Sequence, residues 1–276
     1  MEAGPGDAFN AEPARHAEPT RHATTVNVIV VEPDEVSGSG EITLTGARAT
    51  HLLGVLHVAP GSEVRIGLVD GPRGVGTVQS IAGGAIALRC TLESDIPPRP
   101  RIDLMLAVPR PKVMRRLWAQ IAALGVGQII LTNAEKVERN YFDTHILTPE
   151  TYRPLLIEGL QQSRDTRLPI VSIHRQFRPL VEDRLDGLFG QGLRVVADPT
   201  AAQPLSEVVR AIDDERILLA IGPEGGWNAF ELDLLGAHGF RSAGMGPRTL
   251  RTDTACVALL ALAHAGISDF RIQISD

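Results

Sequence analysis

The hydrophobic rhythm of the chain changes once. From Val26 to about Glu93 apolar residues come in short runs: Val28 to Val31, Ile42 to Leu44, Val64 to Leu68, Gly76 to Ile81 and Ala85 to Leu92. Runs of this length and β-branched content, bounded by turn residues, predict strands. Asp70-Gly71-Pro72 and Gly83-Gly84 mark turns between them. Ala47 to Leu56 predicts one short helix, ended by Pro60-Gly61. Many short strands with few residues to cover their edges predict a small barrel. Residues 1–25 are rich in Ala, Glu, Pro, His and Arg, have no apolar period and read as a disordered tail.

Asp95 to Pro100 is a proline-rich linker, and the domain boundary is expected there. The expected organisation is a tail at 1–25, a β-rich domain at 26–94, a linker at 95–100 and a second domain at 101–276. In the second domain strands alternate with helices. Ile102 to Val108, Gln128 to Thr132, Ile170 to Ile173, Leu193 to Ala197, Ile217 to Ile221 and Ser242 to Met245 are the strands. Lys112 to Leu124 is an amphipathic helix with Val113, Leu117, Ile121 and Leu124 on one face, stopped by Gly125. Further helices are expected at Pro149 to Ser163, Pro204 to Ile212, Ala229 to Ala237 and Asp253 to Ala265. Such alternation predicts an α/β fold with a mostly parallel sheet covered by helices. No internal repeat is visible.

The bulk composition narrows this picture only slightly. With 276 residues, 43% hydrophobic and 22% charged, the chain has room for one large or two ordinary soluble domains. No apolar run is long enough to cross a bilayer, so no membrane association is expected. Without a secretory signal pattern the expected location is cytoplasmic. Cys90 and Cys256 lie far apart and suggest neither a disulfide framework nor a metal site. The histidines are scattered, and no metal is expected. Net charge is −6, yet from Pro97 to Arg116 six basic residues face one acid, Asp103. A local basic face is all that phosphate neutralisation needs, although such a run also fits a solvated surface.

The chemistry concentrates in two glycine-rich turns. Ile221-Gly222-Pro223-Glu224-Gly225-Gly226-Trp227 follows the apolar run 217–220, and Met245 to Ala255 precedes the apolar run from Cys256 to Ala263. Each reads as strand, loop, helix, and ligands of open α/β sheets bind at such loops. Gly222, Gly225 and Gly226 let backbone approach a ligand closely, or simply turn the chain. Asn228 and Glu231 form a capping box. The pattern is neither GxGxxG nor a P-loop. Thr252 and Asp253 suit a helix start. Arg248 and Arg251 suit bidentate contact with an anion or planar group, or surface exposure. Trp118 and Trp227 read as packing residues, with Trp227 bordering the pocket.

At these loops the chain resembles the RsmE family of the SPOUT superfamily, which methylates N3 of a uridine in small-subunit ribosomal RNA. Ile221 to Gly226 matches the family's Ile-Gly-Pro-Glu-Gly-Gly block. Met245 to Ala255 matches its Leu-Gly-x-Arg-Ile-Leu-Arg-x-Glu-Thr-Ala block, with departures at Met245, Thr249 and Asp253. Glu158 to Pro169 and Glu135 to Asn140 carry weaker likenesses. His57 stands where the family has an arginine, and Ala123 where it has a glutamate. The resemblance implies a PUA-like β-barrel followed by an α/β domain with a trefoil knot, a homodimer, and S-adenosylmethionine as cofactor. It places that cofactor against Ala197, Ile221, Gly222, Pro223, Glu224, Gly225, Gly226, Met245, Gly246, Thr249, Leu250 and Arg251. It implies 16S ribosomal RNA or the assembling small subunit as partner, met here by Arg99, Arg110, Lys112, Arg115 and Arg139.

The acceptor nitrogen must lose its proton, and the charge then spreads over the ring oxygens. Arg251 or Arg248, with Arg164 from the other subunit, are the candidates to stabilise it. Glu224 is a candidate base or a turn-stabilising residue. Two other readings stay open: a SPOUT enzyme acting on a ribose 2′-hydroxyl or a transfer RNA base, and a non-catalytic ribosome-associated RNA-binding protein. A small-molecule α/β enzyme is a third.

Overall fold

The computed structural model describes residues 27–210, 215–246, 248 and 250–267. The expected tail at 1–25, the last residues of the helix expected at Pro204 to Ile212, and Thr249 lie outside the described residues. The N-terminal part is a five-stranded sheet: β1 (Ile29–Val31), β2 (Glu41–Leu44), β3 (Glu63–Leu68), β4 (Arg73–Ala82) and β5 (Ala85–Leu92), with α1 (Gly46–Gly54) between β2 and β3. Its order is β1-β3-β4-β5-β2, so β1 and β2 are the two ends of the sheet. The alternation read from the sequence is seen in β2, whose Ile42 and Leu44 are buried between exposed neighbours. With Leu52, Val64, Ile66, Val78, Ile86 and Leu88 they form a core of their own. Gly83 and Gly84 turn β4 into β5 with φ of +57° and +78°, a conformation that favours glycine.

The second part is a six-stranded parallel sheet. Its strands are β6 (Ile102–Ala107), β7 (Val126–Thr132), β8 (Ile170–His174), β9 (Leu193–Ala197), β10 (Ile217–Ile221) and β11 (Phe240–Ala243), in the order β11-β9-β10-β6-β7-β8. Every residue of β6, β7 and β10 is buried, as expected for central strands covered on both faces. The helices are α2 (Pro111–Ala123), α3 (Pro149–Ser163), α4 (Phe177–Pro179), α5 (Leu185–Phe189), α6 (Leu205–Arg210), α7 (Ala229–Ala237) and α8 (Thr252–Gly266).

Two expectations are corrected, and one helical stretch is added. The buried face of α2 is Met114, Leu117, Trp118, Ile121 and Ala122, turned by one position from the expected stripe, with Val113 and Leu124 at its margin. Leu117 and Ile121 belong to both, and Gly125 ends the helix with φ +77° as expected. The last strand ends two residues early: Ala243 pairs with Ala197, and Gly244 is already committed to Gln203 and Leu205. Met245 is thereby freed for the loop. The stretch from Phe177 to Phe189, for which the sequence pattern predicts no element, is helical, with a π turn at Leu180–Arg184 between α4 and α5.

The two sheets meet at one seam. The Asp70-Gly71 turn, with Asp70 at φ +53°, docks on the segment after α3. Asp70 donates its N–H to the Thr166 carbonyl (2.7 Å), and the Thr166 hydroxyl donates to the Gly71 carbonyl (2.7 Å). Arg153 closes the seam with a forked contact to Glu32 at 2.9–3.0 Å, the strong geometry for a guanidinium and a carboxylate. α3 in turn lies tightly on α2: a Cβ at Gly159 would come within 2.2 Å of the Ala119 carbonyl oxygen.

Two buried titratable groups give stability opposite pH dependences. Burial holds the His264 imidazole on α8 down to about 4, against roughly 6.5 in an unfolded chain. Between these values only the unfolded state takes the proton, so stability is lost as pH falls from 6.5 towards 4. Burial pushes the Asp103 carboxyl up to about 6, against the pull of Arg216. Its contribution runs the other way, full near pH 4 and lost as pH rises through 6. The variant His264→Gln is expected to lose less stability than the parent between pH 7 and pH 5, by about 2 kcal/mol at most. Denaturant titrations at the two pH values measure this, and equal losses would refute it.

Candidate functional site

A cavity of about 390 Å³ opens at the carboxyl ends of β9, β10 and β11. Three loops, Leu232 of α7 and one face of α8 build it. The loop after β9 brings Asp198 and Thr200, the loop after β10 brings Gly222 to Trp227, and the segment after β11 brings Gly244 to Gly246, Arg248 and Leu250. Thr252, Ala255 and Leu259 close it from α8. The fully buried strand β10 delivers the first glycine turn to this place, and the early end of β11 delivers the second.

Backbone geometry explains the glycines. The first turn closes with the Gly226 N–H donating to the Pro223 carbonyl at 2.8 Å, and Gly226 has φ +71°. Gly222 is needed for space: a Cβ there would sit 3.1 Å from the Trp227 indole. Trp227 is itself packed against Phe177, ring centroids 5.4 Å apart, and its indole N–H has no acceptor among the described residues. In the second turn Gly246 has φ +106°. A Cβ at Gly244 would press on the Asp198 carbonyl at 3.1 Å, so the first and third loops touch through backbone.

The expected capping box is present. Asn228 Oδ1 accepts from the Glu231 N–H, and Glu231 Oε2 accepts from the Asn228 N–H, both at 2.8 Å. Glu231 is 3% exposed, and its other oxygen accepts from the Glu135 N–H at 2.7 Å. Two N–H donors, one on each oxygen, thus compensate a buried carboxylate. Two further ties hold the first turn from its open side. Glu224 Oε1 accepts from the Arg110 N–H at 3.2 Å, and Lys136 Nζ donates to the Gly225 carbonyl at 2.7 Å.

The structure brings most of the expected cofactor residues together. Ala197, Ile221, Gly222, Pro223, Glu224, Gly225, Gly226, Met245, Gly246 and Leu250 line one cavity. Of the arginines, Arg248 lines it, while Arg251 is exposed at the N-cap of α8, one residue before the lining Thr252. Thr252 is therefore not the cap but the first helical residue, buried at the cavity wall. Asp253 meets Arg116 at 2.5 Å, which holds its carboxyl below the usual carboxylate range. Arg164 lies elsewhere, in left-handed conformation at the end of α3, with its carbonyl accepting from Arg73. Missed by sequence reasoning were Thr200, Leu232, Ala255 and Leu259. The spacing of Thr252, Ala255 and Leu259, at i, i+3 and i+7, is a helix-face signal that could have found three lining positions.

The basic run divides. Arg99 is turned to the seam, donating to the Leu168 carbonyl and to Asp70. Lys112 and Arg115 are exposed on the first turns of α2, and Arg139 is exposed in the 3-10 turn Arg139–Asp143. None of these three has an ion-pair partner among the described residues. Arg110 at the start of α2 is tied to Glu224 of the glycine turn, so the α2 cations stand next to the cavity.

Comparison with known proteins follows the same lines. A model of the family described as RNA methyltransferase domain matches residues 97–264. The ribosomal RNA small subunit methyltransferase E of Treponema pallidum (strain Nichols) is 28% identical over 254 residues, 87% of this chain and 92% of that one. The protein of the same name from Synechocystis is 28% identical, covering 86% and 77%. The structure of a ribosomal RNA small subunit methyltransferase E from Neisseria gonorrhoeae bound to S-adenosyl methionine superposes with TM-score 0.71 at 20% identity, covering 89% of this chain and 99% of that one. A Legionella pneumophila methyltransferase in complex with the same cofactor gives 0.68 at 19%, covering 88% and 99%.

The wall position of Trp227 can be tested. Gly222→Ala is expected to shift the indole slightly against Phe177, change the near-ultraviolet circular dichroism and destabilise the fold by about 1 kcal/mol or more. An unchanged spectrum and melting temperature would mean that Trp227 does not form the wall.

Proposed function

The chain belongs to the RNA methyltransferase domain family, and on that premise we propose that it methylates N3 of a uridine in 16S ribosomal RNA, using S-adenosylmethionine. The observation that carries this reading is the convergence of the two glycine turns on one cavity at the carboxyl ends of adjacent strands. The cavity fits that cofactor. Its glycine backbones can approach a ligand closely, Ile221, Leu250 and Leu259 supply apolar wall for an adenosine, and Asp198 and Glu224 supply carboxylates for a cationic ligand. When bound, the cofactor supplies an electrophilic methyl group. The proposed site includes the C-terminal trefoil knot of SPOUT enzymes, a PUA-like role for the 26–94 domain in RNA binding, and a homodimer.

This chain's own residues must then orient the uracil and stabilise the negative charge on it. Arg248 lines the cavity, and Arg251 stands exposed beside it. Neither has an ion-pair partner among the described residues. Two guanidiniums at the mouth of a half-closed apolar cavity are placed to receive the charge that spreads over the uracil oxygens. Arg164, at the end of α3, lines no part of the cavity and joins the site in this reading from a partner subunit. Lys112, Arg115 and Arg139 supply cations for phosphates, whereas Arg99, held by Asp70, serves the seam.

Arg251→Ala is expected to lower methyl transfer to unmodified small-subunit ribosomal RNA by about 10²-fold, with affinity for S-adenosylhomocysteine within a few-fold of the parent. Turnover assays and calorimetric titration give the two numbers. Unchanged turnover would remove Arg251 from the site. Mass spectrometry of the product nucleosides decides the acceptor: 3-methyluridine supports the proposal, and a 2′-O-methylated nucleoside overturns the N3 assignment.

A further inference from the structure

The ties on the open side of the first glycine turn suggest more than local support. Gly222 to Gly226 line the cavity, so a ligand held there orders this turn. Each tie leads out of the cavity to a different cation-bearing segment. Glu224 takes the N–H of Arg110, the residue from which α2 starts with Lys112 and Arg115. Lys136 reaches the Gly225 carbonyl from the loop after β7, three residues before Arg139. The two segments lie close together. Burial first, then a hydrogen bond to Glu138, pushes up the phenol of Tyr141 in the Arg139 turn, and the charges of Arg110 and Glu224 also act on it. The Lys136 stem is fitted to its partner: a Cβ at Gly225 would meet its Cδ at 2.6 Å.

We propose that Lys136 and Glu224 are positioning residues that couple cofactor binding to RNA binding, because they join the cofactor turn to the two segments carrying the exposed cations. The proposal rests on the methyltransferase reading above. Glycine has more conformational freedom than any other residue in the unliganded turn. A cofactor that fixes the turn fixes the Gly225 carbonyl and the Glu224 carboxylate, and through them residues 136 and 110. The cations of α2 and of the Arg139 turn are then presented to phosphates in one arrangement, and RNA binds to a surface already ordered. Linkage makes the effect reciprocal: RNA must tighten cofactor binding by the same factor.

The test uses the full chain and an unmodified small-subunit ribosomal RNA transcript. Filter binding measures RNA affinity without cofactor and with saturating S-adenosylhomocysteine, whose own binding is followed by calorimetry. The parent is expected to bind RNA about fivefold or more tightly with the cofactor product present, the lower range for coupled sites. Lys136→Met keeps the aliphatic stem and loses the tie, and Glu224→Gln weakens the other. Each is expected to reduce the ratio to below twofold, whereas Lys136→Arg keeps it. Gly225→Ala separates positioning from direct phosphate contact, because it displaces the Lys136 stem and leaves its charge in place. It should lose the coupling at saturating S-adenosylhomocysteine, and its RNA affinity without cofactor, compared with that of Lys136→Met, reports whether the Lys136 charge itself holds phosphate.

A parent ratio of one, or variants that keep the full ratio, would overturn the coupling and leave the methyltransferase reading intact if product still forms. Loss of RNA affinity in Lys136→Met with full coupling in Gly225→Ala would make Lys136 a phosphate contact and also overturn the proposal. No binding of S-adenosylhomocysteine or of RNA to the folded parent would overturn both readings together.

Discussion

The parallel pairing of β10 between β6 and β9 is the constraint on which the site depends. From β6 the chain steps outward through β7 to β8, then crosses to the other side and inserts β10 between β9 and β6. The direction of winding reverses at that point, and strand ends there leave a crevice that helices do not fill. The turn after β10 occupies the crevice with β9 on one flank and β6 on the other. Its register is fixed by five successive Cα pairings from Ile217–Ile102 to Ile221–Leu106, every residue of both segments being buried. A shift of this strand would carry the Gly222 turn away from the loops that meet it.

Given that seat, the cavity is shaped by what glycine omits. Gly222 leaves room for the indole of Trp227, Gly225 for the stem of Lys136, and Gly244 for the Asp198 carbonyl. In each case a methyl group would stand where another part of the wall already lies. The same loops hold few charged groups pointing at one another, so most polar contact in the cavity comes from main chain. The one strongly buried carboxylate nearby, Glu231, is held by two backbone N–H donors, one on each oxygen.

Much of this was legible from the residues. The Ile217 to Ile221 strand, the Ala229 to Ala237 helix and the Asn228–Glu231 capping box follow from local patterns that the fold has no reason to override. The errors have local causes too. The face of α2 was read from Val113 and Leu124, but the indole of Trp118 is satisfied by the Ile146 carbonyl at 3.1 Å and stacks near Tyr152, which draws the buried stripe round by one position. The helical stretch after β8 was hidden by Pro179 and Gly187 and by a π turn, whose wider spacing puts Leu180 and Leu185 five apart on one buried side. The early end of β11 could not be read from composition, because the pairing of Gly244 with Gln203 and Leu205 decides it at long range. Trp227 borders the pocket as its sequence position implies, but its packing on Phe177 and the Lys136 tie are products of tertiary contact.

Charge illustrates the same limit and explains how an acidic chain can offer a basic face. The net charge of −6 says little, because most arginines with a resolved partner are engaged internally: Arg153 with Glu32, Arg99 and Arg167 with Asp70, Arg116 with Asp253, Arg216 with Asp103. A guanidinium so held is a structural cross-link, and bringing it to a phosphate would first require breaking that pair. Arg99 and Arg110 stand eleven positions apart in one basic run, yet one belongs to the seam between the sheets and the other to the edge of the cavity. Only the fold sorts them. The cations left without an ion-pair partner among the described residues, Lys112, Arg115, Arg139, Arg248 and Arg251, lie on the α2, 3-10 and α8 segments next to the two glycine turns. Recruitment of a polyanion, as proposed above, would rest on these clustered cations rather than on net charge.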